Sequence, residues 1–186
     1  MTGVEGQKGF TDVMAVYLDD WSSGTLVYGN VCRQAGRAVL AGGGRDNTIE
    51  NNIFIDCRPA IHVDARGLGW AKYYFDGSNN TLFDRLKAVN HDKPPYSTKY
   101  PELARLLDDE PVMPKGNKIV RNICVGGKWL ELQNGLTDKV ILIQDNVVEA
   151  APGFRDMDAN DFRPKPGSPA HSAGFKPIPF KEIGPR

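Results

Sequence analysis

The sequence predicts an all-β chain wound as a parallel β-helix, a single-stranded solenoid of about four to five coils of 22–24 residues. Three observations predict it. An asparagine recurs at Asn30, Asn52, Asn122 and Asn146, with an apolar residue three positions before each (Val27, Ile49, Ile119, Ile143) and one position after (Val31, Ile53, Ile123, Val147). The asparagines are 22 residues apart in the first pair and 24 in the last, and the middle interval of 70 is one coil plus an insertion of roughly 48. A further β-rich run precedes each unit: AVYLD from Ala15, AVLAG from Ala38, AIHVD from Ala60 and WLELQ from Trp129.

Each coil then holds three short strands. Strands of this length bury no face alone, but stacking coil on coil at about 4.8 Å pairs the backbone groups and builds a continuous core. An asparagine at each corner tolerates the left-handed conformation and can bond the asparagine above it. A sandwich of hairpins is the alternative, and it needs Asn-Gly turns that are absent.

In order along the chain, the first coil begins within about fifteen residues of Met1 with no evident cap, so the open end is expected to meet a partner or further coils of a longer protein. The second coil, RDNTIENNIFIDC, is the clearest. From 66 to 116 the repeat is interrupted by an insertion that is aromatic at first (RGLGWAKYYFDG). It turns helical through Leu82, Leu86 and Val89, and again from Pro101. Insertions at one corner of a solenoid commonly wall its binding face, and a buttress over apolar sheet is the structural alternative. From 150 to 186 a tail with six prolines before the final Gly-Pro-Arg replaces the repeat and is expected to cross the last coil and blunt its edge.

The 186 residues suit one domain, 1–186, with a substantial core. Lys plus Arg equals Asp plus Glu at 23 each, so no global field draws nucleic acid or an anionic membrane. No apolar run is long enough to span a bilayer, and no signal peptide opens the chain. Cys32, Cys57 and Cys124 form no zinc motif and read as buried small hydrophobes.

The Asn-centred coils, above all GGGRDNTIENNIFIDC from Gly42, together with the closing DFRPKPGSPAHSAGF from Asp161, resemble the right-handed parallel β-helix proteins of the pectate-lyase-like superfamily, especially their C-terminal parts. The resemblance implies a right-handed helix, a carbohydrate-directed role and a substrate cleft on the sheet that holds the first strand of each coil. It leaves the reaction open, because the superfamily holds lyases, hydrolases, epimerases, esterases and tailspikes. It also implies an extracellular or periplasmic setting if the chain is part of a secreted protein.

Alternation sorts that sheet. Val16, Val39, Ile61 and Leu130 point inward with Leu18, Ala41, Val63 and Leu132, while Tyr17, Leu40, His62 and Glu131 form one outward column and Asp19, Gly42, Asp64 and Gln133 the next. Asp19 and Asp64, two rungs apart, have Cα atoms roughly 10 Å apart, close to the spacing of inverting glycosidases. Hydrolysis would use Asp19 and Asp64 as acid and base. β-Elimination from a uronic acid would use calcium on Asp19, Asp20 and Asp64, with Arg66 or His62 taking the proton. Arg45 and Arg66 suit sugar carboxylates, and Tyr17 and Trp70 suit sugar faces, with Asp20 and Glu131 beside them. Each has a structural alternative: an Asx turn at Asp19-Asp20, an Asp64–Arg66 pair, a solvated His62, and an aromatic core within the insertion. The Gly42–Gly44 run marks a place where backbone approaches a ligand or the insertion. The expected partners are a polysaccharide and a second copy through the first coil. The non-enzymatic alternative is a glycan-binding or assembly segment.

Overall fold

The computed structural model describes residues 13–182 and shows four stacked coils. The first holds β1 (Met14–Leu18), β2 (Leu26–Tyr28) and β3 (Val31–Arg33), and the second β4 (Arg37–Gly42), β5 (Thr48–Glu50) and β6 (Ile53–Ile55). The third holds β7 (Ile61–Asp64), β8 (Lys118–Val120) and β9 (Ile123–Val125), and the fourth β10 (Leu130–Gln133), β11 (Leu142–Gln144) and β12 (Val147–Val148). They form three parallel sheets, β1-β4-β7-β10, β2-β5-β8-β11 and β3-β6-β9-β12. The expected columns pair rung on rung: Tyr17 on Leu40, Leu40 on His62, His62 on Glu131.

The repeating asparagines make a ladder. The Nδ2 of Asn30, Asn52 and Asn122 each donate to the Oδ1 of the next asparagine at 3.0 Å, and their backbone N–H groups donate to the same oxygens. One expectation is corrected. The left-handed residue at this corner is the one before the ladder asparagine, namely Gly29, Asn51, Arg121 and Asp145. The ladder asparagine's side chain replaces backbone partners lost where the chain bends. A second ladder, at Asn47 and Asn117, bonds rungs at the entry to the second sheet, with Asn47 N–H donating to Asn117 Oδ1 at 2.9 Å.

Inside the tube pack Leu18, Val27, Val39, Ile49, Phe54, Ile61 and Ile119 with the three cysteines, which are free and buried as the sequence predicts. Burial pushes the Cys32 and Cys124 thiols up to about 11 and about 12.

The tail runs differently from expectation. Its hairpin, β13 (Phe154–Asp156) and β14 (Asp161–Pro164), and a short helix capped by Ser168 (Pro169–Ser172) lie along the outer face of the third sheet. There Phe154, Phe162 and Phe175 cover Ile53, Ile55, Ile123 and Val147 in a second apolar core. Asn51 fastens it, donating to the Lys176 carbonyl at 3.0 Å and accepting from its N–H at 2.7 Å. The tail is drawn to the flank because the column after each ladder asparagine points outward and is apolar.

The insertion leaves between β7 and β8. It contains helices at Thr81–Ala88 and Tyr96–Lys99, and a 3-10 segment at Pro101–Asp108 with proline at its start. No described helix is long and apolar enough to cross a membrane. The expectation that the first coil has no cap falls on residues 1–12, which lie outside the described residues.

Candidate functional site

The first sheet ends, on coils one and three, in two acidic corners. After β1, the Asp19 carbonyl accepts the Ser22 N–H at 2.9 Å and its carboxylate accepts the Asp20 N–H, so the chain turns here through a main-chain β-turn and not the expected Asx turn. Asp20 and Trp21 both adopt positive φ, +31° and +59°, an uncommon state for a tryptophan, held by the Trp21 N–H donating to the Gly42 carbonyl at 2.9 Å. After β7, Asp64 accepts the Arg66 N–H at 3.0 Å. This turn aims the Arg66 side chain back across the sheet.

Arg66 then joins the two corners. Its Nε and Nη2 fork onto Asp64 at 3.1 Å each, while Nη1 donates to Asp19 at 3.0 Å and to Asp20 at 2.6 Å. Arg66 is 2% exposed, and its guanidinium lies on Gly42, which has no side chain to obstruct it. The glycine run thus serves close approach by the insertion, one of its two expected roles. Above the guanidinium sits Trp70, 5.7 Å from ring centroid to Cζ and 61% exposed. Trp21 packs edge-on against Tyr74 and Phe75, tying the insertion to the corner.

His62 occupies the next position. It points outward in strand phase yet is buried, with Nε2 3.6 Å from Asp64 and Nδ1 3.5 Å from Glu131, so a solvated strand residue is not what stands here. Both separations are ion-pair distances, long for hydrogen bonds, and the Nδ1 atom is otherwise without a partner. Glu131 also accepts from Gln133 at 3.1 Å and meets Lys128 at 3.4 Å.

These contacts set the charges. The Tyr17 hydroxyl, then Arg66, hold Asp19 below the usual carboxylate range, and Asp19 in turn raises Tyr17. Burial pushes Asp64 up, but His62 and Arg66 outweigh it and leave its carboxyl below the ordinary value. Gln133 leads the groups that hold Glu131 low. Burial disfavours charge on Arg66, yet Asp64, Asp20 and Asp19 raise it above its ordinary value, so it stays a cation.

Seven sequence candidates (Tyr17, Asp19, Asp20, His62, Asp64, Arg66, Glu131) therefore meet, with Trp70 over them. Comparisons with protein-family models, curated proteins and solved structures find no match. The chemistry rests on this geometry.

Calcium does not suit the cluster. A guanidinium occupies the centre of the Asp19, Asp20 and Asp64 oxygens, and no group of three or more acidic, His or Cys side chains among the described residues is placed to hold a metal. Arg45 stands elsewhere. It pairs with the carboxylate and carbonyl of Asp109 and lines a cleft of about 690 Å³ between the solenoid corner and the insertion, with Ser23, Lys99, Tyr100 and Leu103. That cleft does not include Asp19, His62 or Asp64. Sequence reasoning passes over Tyr96 and Tyr100; the readable signal is two aromatics four apart flanking Lys99.

Proposed function

We propose that the chain is a right-handed parallel β-helix of the pectate-lyase-like type, and that the outward face of its first sheet hydrolyses a neutral polysaccharide. The observation that carries the reading is the Arg66 guanidinium spent on Asp64, Asp19 and Asp20. Elimination from a uronate needs a cation free to hold the sugar carboxylate and a base able to take the α-proton. Arg66 supplies neither: all three of its nitrogens already donate to carboxylates, and its pKa is driven up. Three carboxylates around one guanidinium also repel an acidic sugar.

Inverting hydrolysis uses two carboxyls spaced to admit a water; here the Arg66 guanidinium fills the gap between them, so the sugar and the water lie across the outer face of the cluster. Asp64 and the Asp19-Asp20 corner, one guanidinium and two hydrogen bonds apart, are separated by on the order of 8 Å at most, within the inverting range. Asp64, held ionised and braced by His62, is the general base. Asp20, which is exposed and joined to Arg66 through one oxygen, faces it from the opposite corner as the acid. Trp70 and Tyr17 offer rings to the faces of the sugar. A polymeric substrate implies a setting outside the cytoplasm.

The test is cleavage of xylan, galactan, arabinan and mannan oligosaccharides, with anomeric analysis of the products. Asp64→Asn and Asp20→Asn are expected to lower kcat by about 10²- to 10⁴-fold. Full activity in both variants, or products with unsaturated ends, would sink the hydrolase. A non-catalytic glycan-binding face is the second reading, favoured because Asp19, Asp64 and Glu131 all sit below the ordinary carboxylate range and none is poised as an acid. Binding without turnover would select it.

A further inference from the structure

The cleft at Arg45 has no part in the bond-breaking cluster, yet it adjoins it. Ser23 on its wall lies three residues beyond Asp20, and Arg45 lies three residues beyond Gly42, on which the guanidinium rests. Three residues of chain span about 10 Å at most, so the cleft opens beside the Asp19-Asp20 corner, on coils one and two.

Its lining is chemically mixed. Tyr96 and Tyr100 are 40% and 49% exposed at its rim, over an apolar floor of Leu103 and Leu106. Arg45 and Lys99 face Asp46, Glu102 and Asp109, so the charges nearly balance. The Arg45–Asp109 pair, with Lys115 on the same carboxylate, holds the insertion at a fixed distance from the corner. A volume of about 690 Å³ lined by aromatic rings, with both donors and acceptors and little net field, matches a hydroxyl-rich neutral ring. An anionic ligand would meet three carboxylates, and a purely apolar one would bury charged side chains unpaired.

We infer that this cleft is a distal glycan subsite. It takes the same polysaccharide chain as the Asp20–Asp64 face, away from the bond that is cut, and it makes the protein prefer long chains. The inference rests on the hydrolase reading and adds the polymer's path. In it Tyr100 and Tyr96 stack sugar rings, while Lys99 and Glu102 bond their hydroxyls.

The experiment measures kcat/KM on size-fractionated xylan, galactan, arabinan and mannan oligosaccharides for the wild type, Tyr100→Ala and Tyr96→Ala, with melting temperatures to confirm folding. The loss is expected to grow with chain length, reaching about tenfold in KM on long chains and fading toward disaccharides, with kcat held. A loss equal at every length, a fall in kcat alone, or no loss on long chains would overturn the subsite while leaving the hydrolase standing. If no oligosaccharide is cut, Asp64→Asn is titrated with the same fractions: length-dependent binding that weakens in Tyr100→Ala keeps the subsite on a binding face. Absence of any binding removes both readings.

Discussion

A β-carbon on Gly42 would stand 1.8 Å from Nη2 of Arg66, so a glycine on the second coil is what lets an arginine on the third reach carboxylates on the first. Gly42 does not have positive φ, and the demand is for space alone. Gly42→Ala should therefore destabilise the protein by about 2 kcal/mol, as overpacking does. The cost should shrink in an Arg66→Ala background, because the two changes share one contact. Denaturant titration of the four-protein cycle checks this, and additive costs would show that Gly42 matters for another reason.

Arg66→Ala leaves Asp64 buried without its cation. The expected loss is about 3 kcal/mol, the cost of breaking a buried pair from one side. Arg66→Lys should recover little, since an ammonium cannot fork onto Asp64 while bonding Asp19 and Asp20. Chemical unfolding of both variants is the measurement, and full recovery by lysine would show that charge alone suffices.

Asp64 also makes stability depend on pH. Its folded pKa lies below the ordinary 3.8, so the stabilisation is complete above that value and lost as the pH falls below it. Melting temperatures followed from about pH 6 down to about pH 2 should fall more steeply for the wild type than for Asp64→Asn. Parallel curves would contradict the depressed value.

Asn52 sits in the middle of its ladder, fully buried, donating to Asn122 and to the Val27 carbonyl and accepting from Asn30. Asn52→Leu strands the Val27 carbonyl and the Asn30 donors and should cost about 3 kcal/mol, whereas Asn30→Ala, on the first rung, should cost about 1 kcal/mol. Equal costs for the two, read from thermal unfolding, would mean that the ladder is not what couples the coils.

The tail is a flank, and its phenylalanines can be tested as one. Phe154→Ala should cost about 3 kcal/mol. Removing residues 151–186 should uncover Ile53, Ile55, Ile123 and Val147 and make the protein bind a hydrophobic dye. A truncated chain that stays monomeric and dye-silent would show that this face tolerates water.

The sheet register is legible in the sequence. Tyr17, Leu40, His62 and Glu131 align because strand alternation and a regular coil length together settle which residue meets which on the next rung. The meeting of Asp19, Asp64, His62 and Glu131 on one face follows from the same two regularities. The place of Arg66 does not, since it depends on a turn after β7 that folds the side chain back over Gly42.

The sequence by itself determined the coil, its three strands, the asparagine ladder and the inward columns, because each is written in local alternation and in a period short enough to repeat four times. Only the tertiary structure decided what covers the outward columns: the tail on the third sheet, through an Asn51–Lys176 contact 125 residues apart, and Arg66 and the insertion on the first. It decided the charges as well. Asp64 is held as a carboxylate and Arg66 as a fixed cation by neighbours that no periodicity specifies, since burial and pairing arise only when distant rungs, the insertion and the corners close around one another.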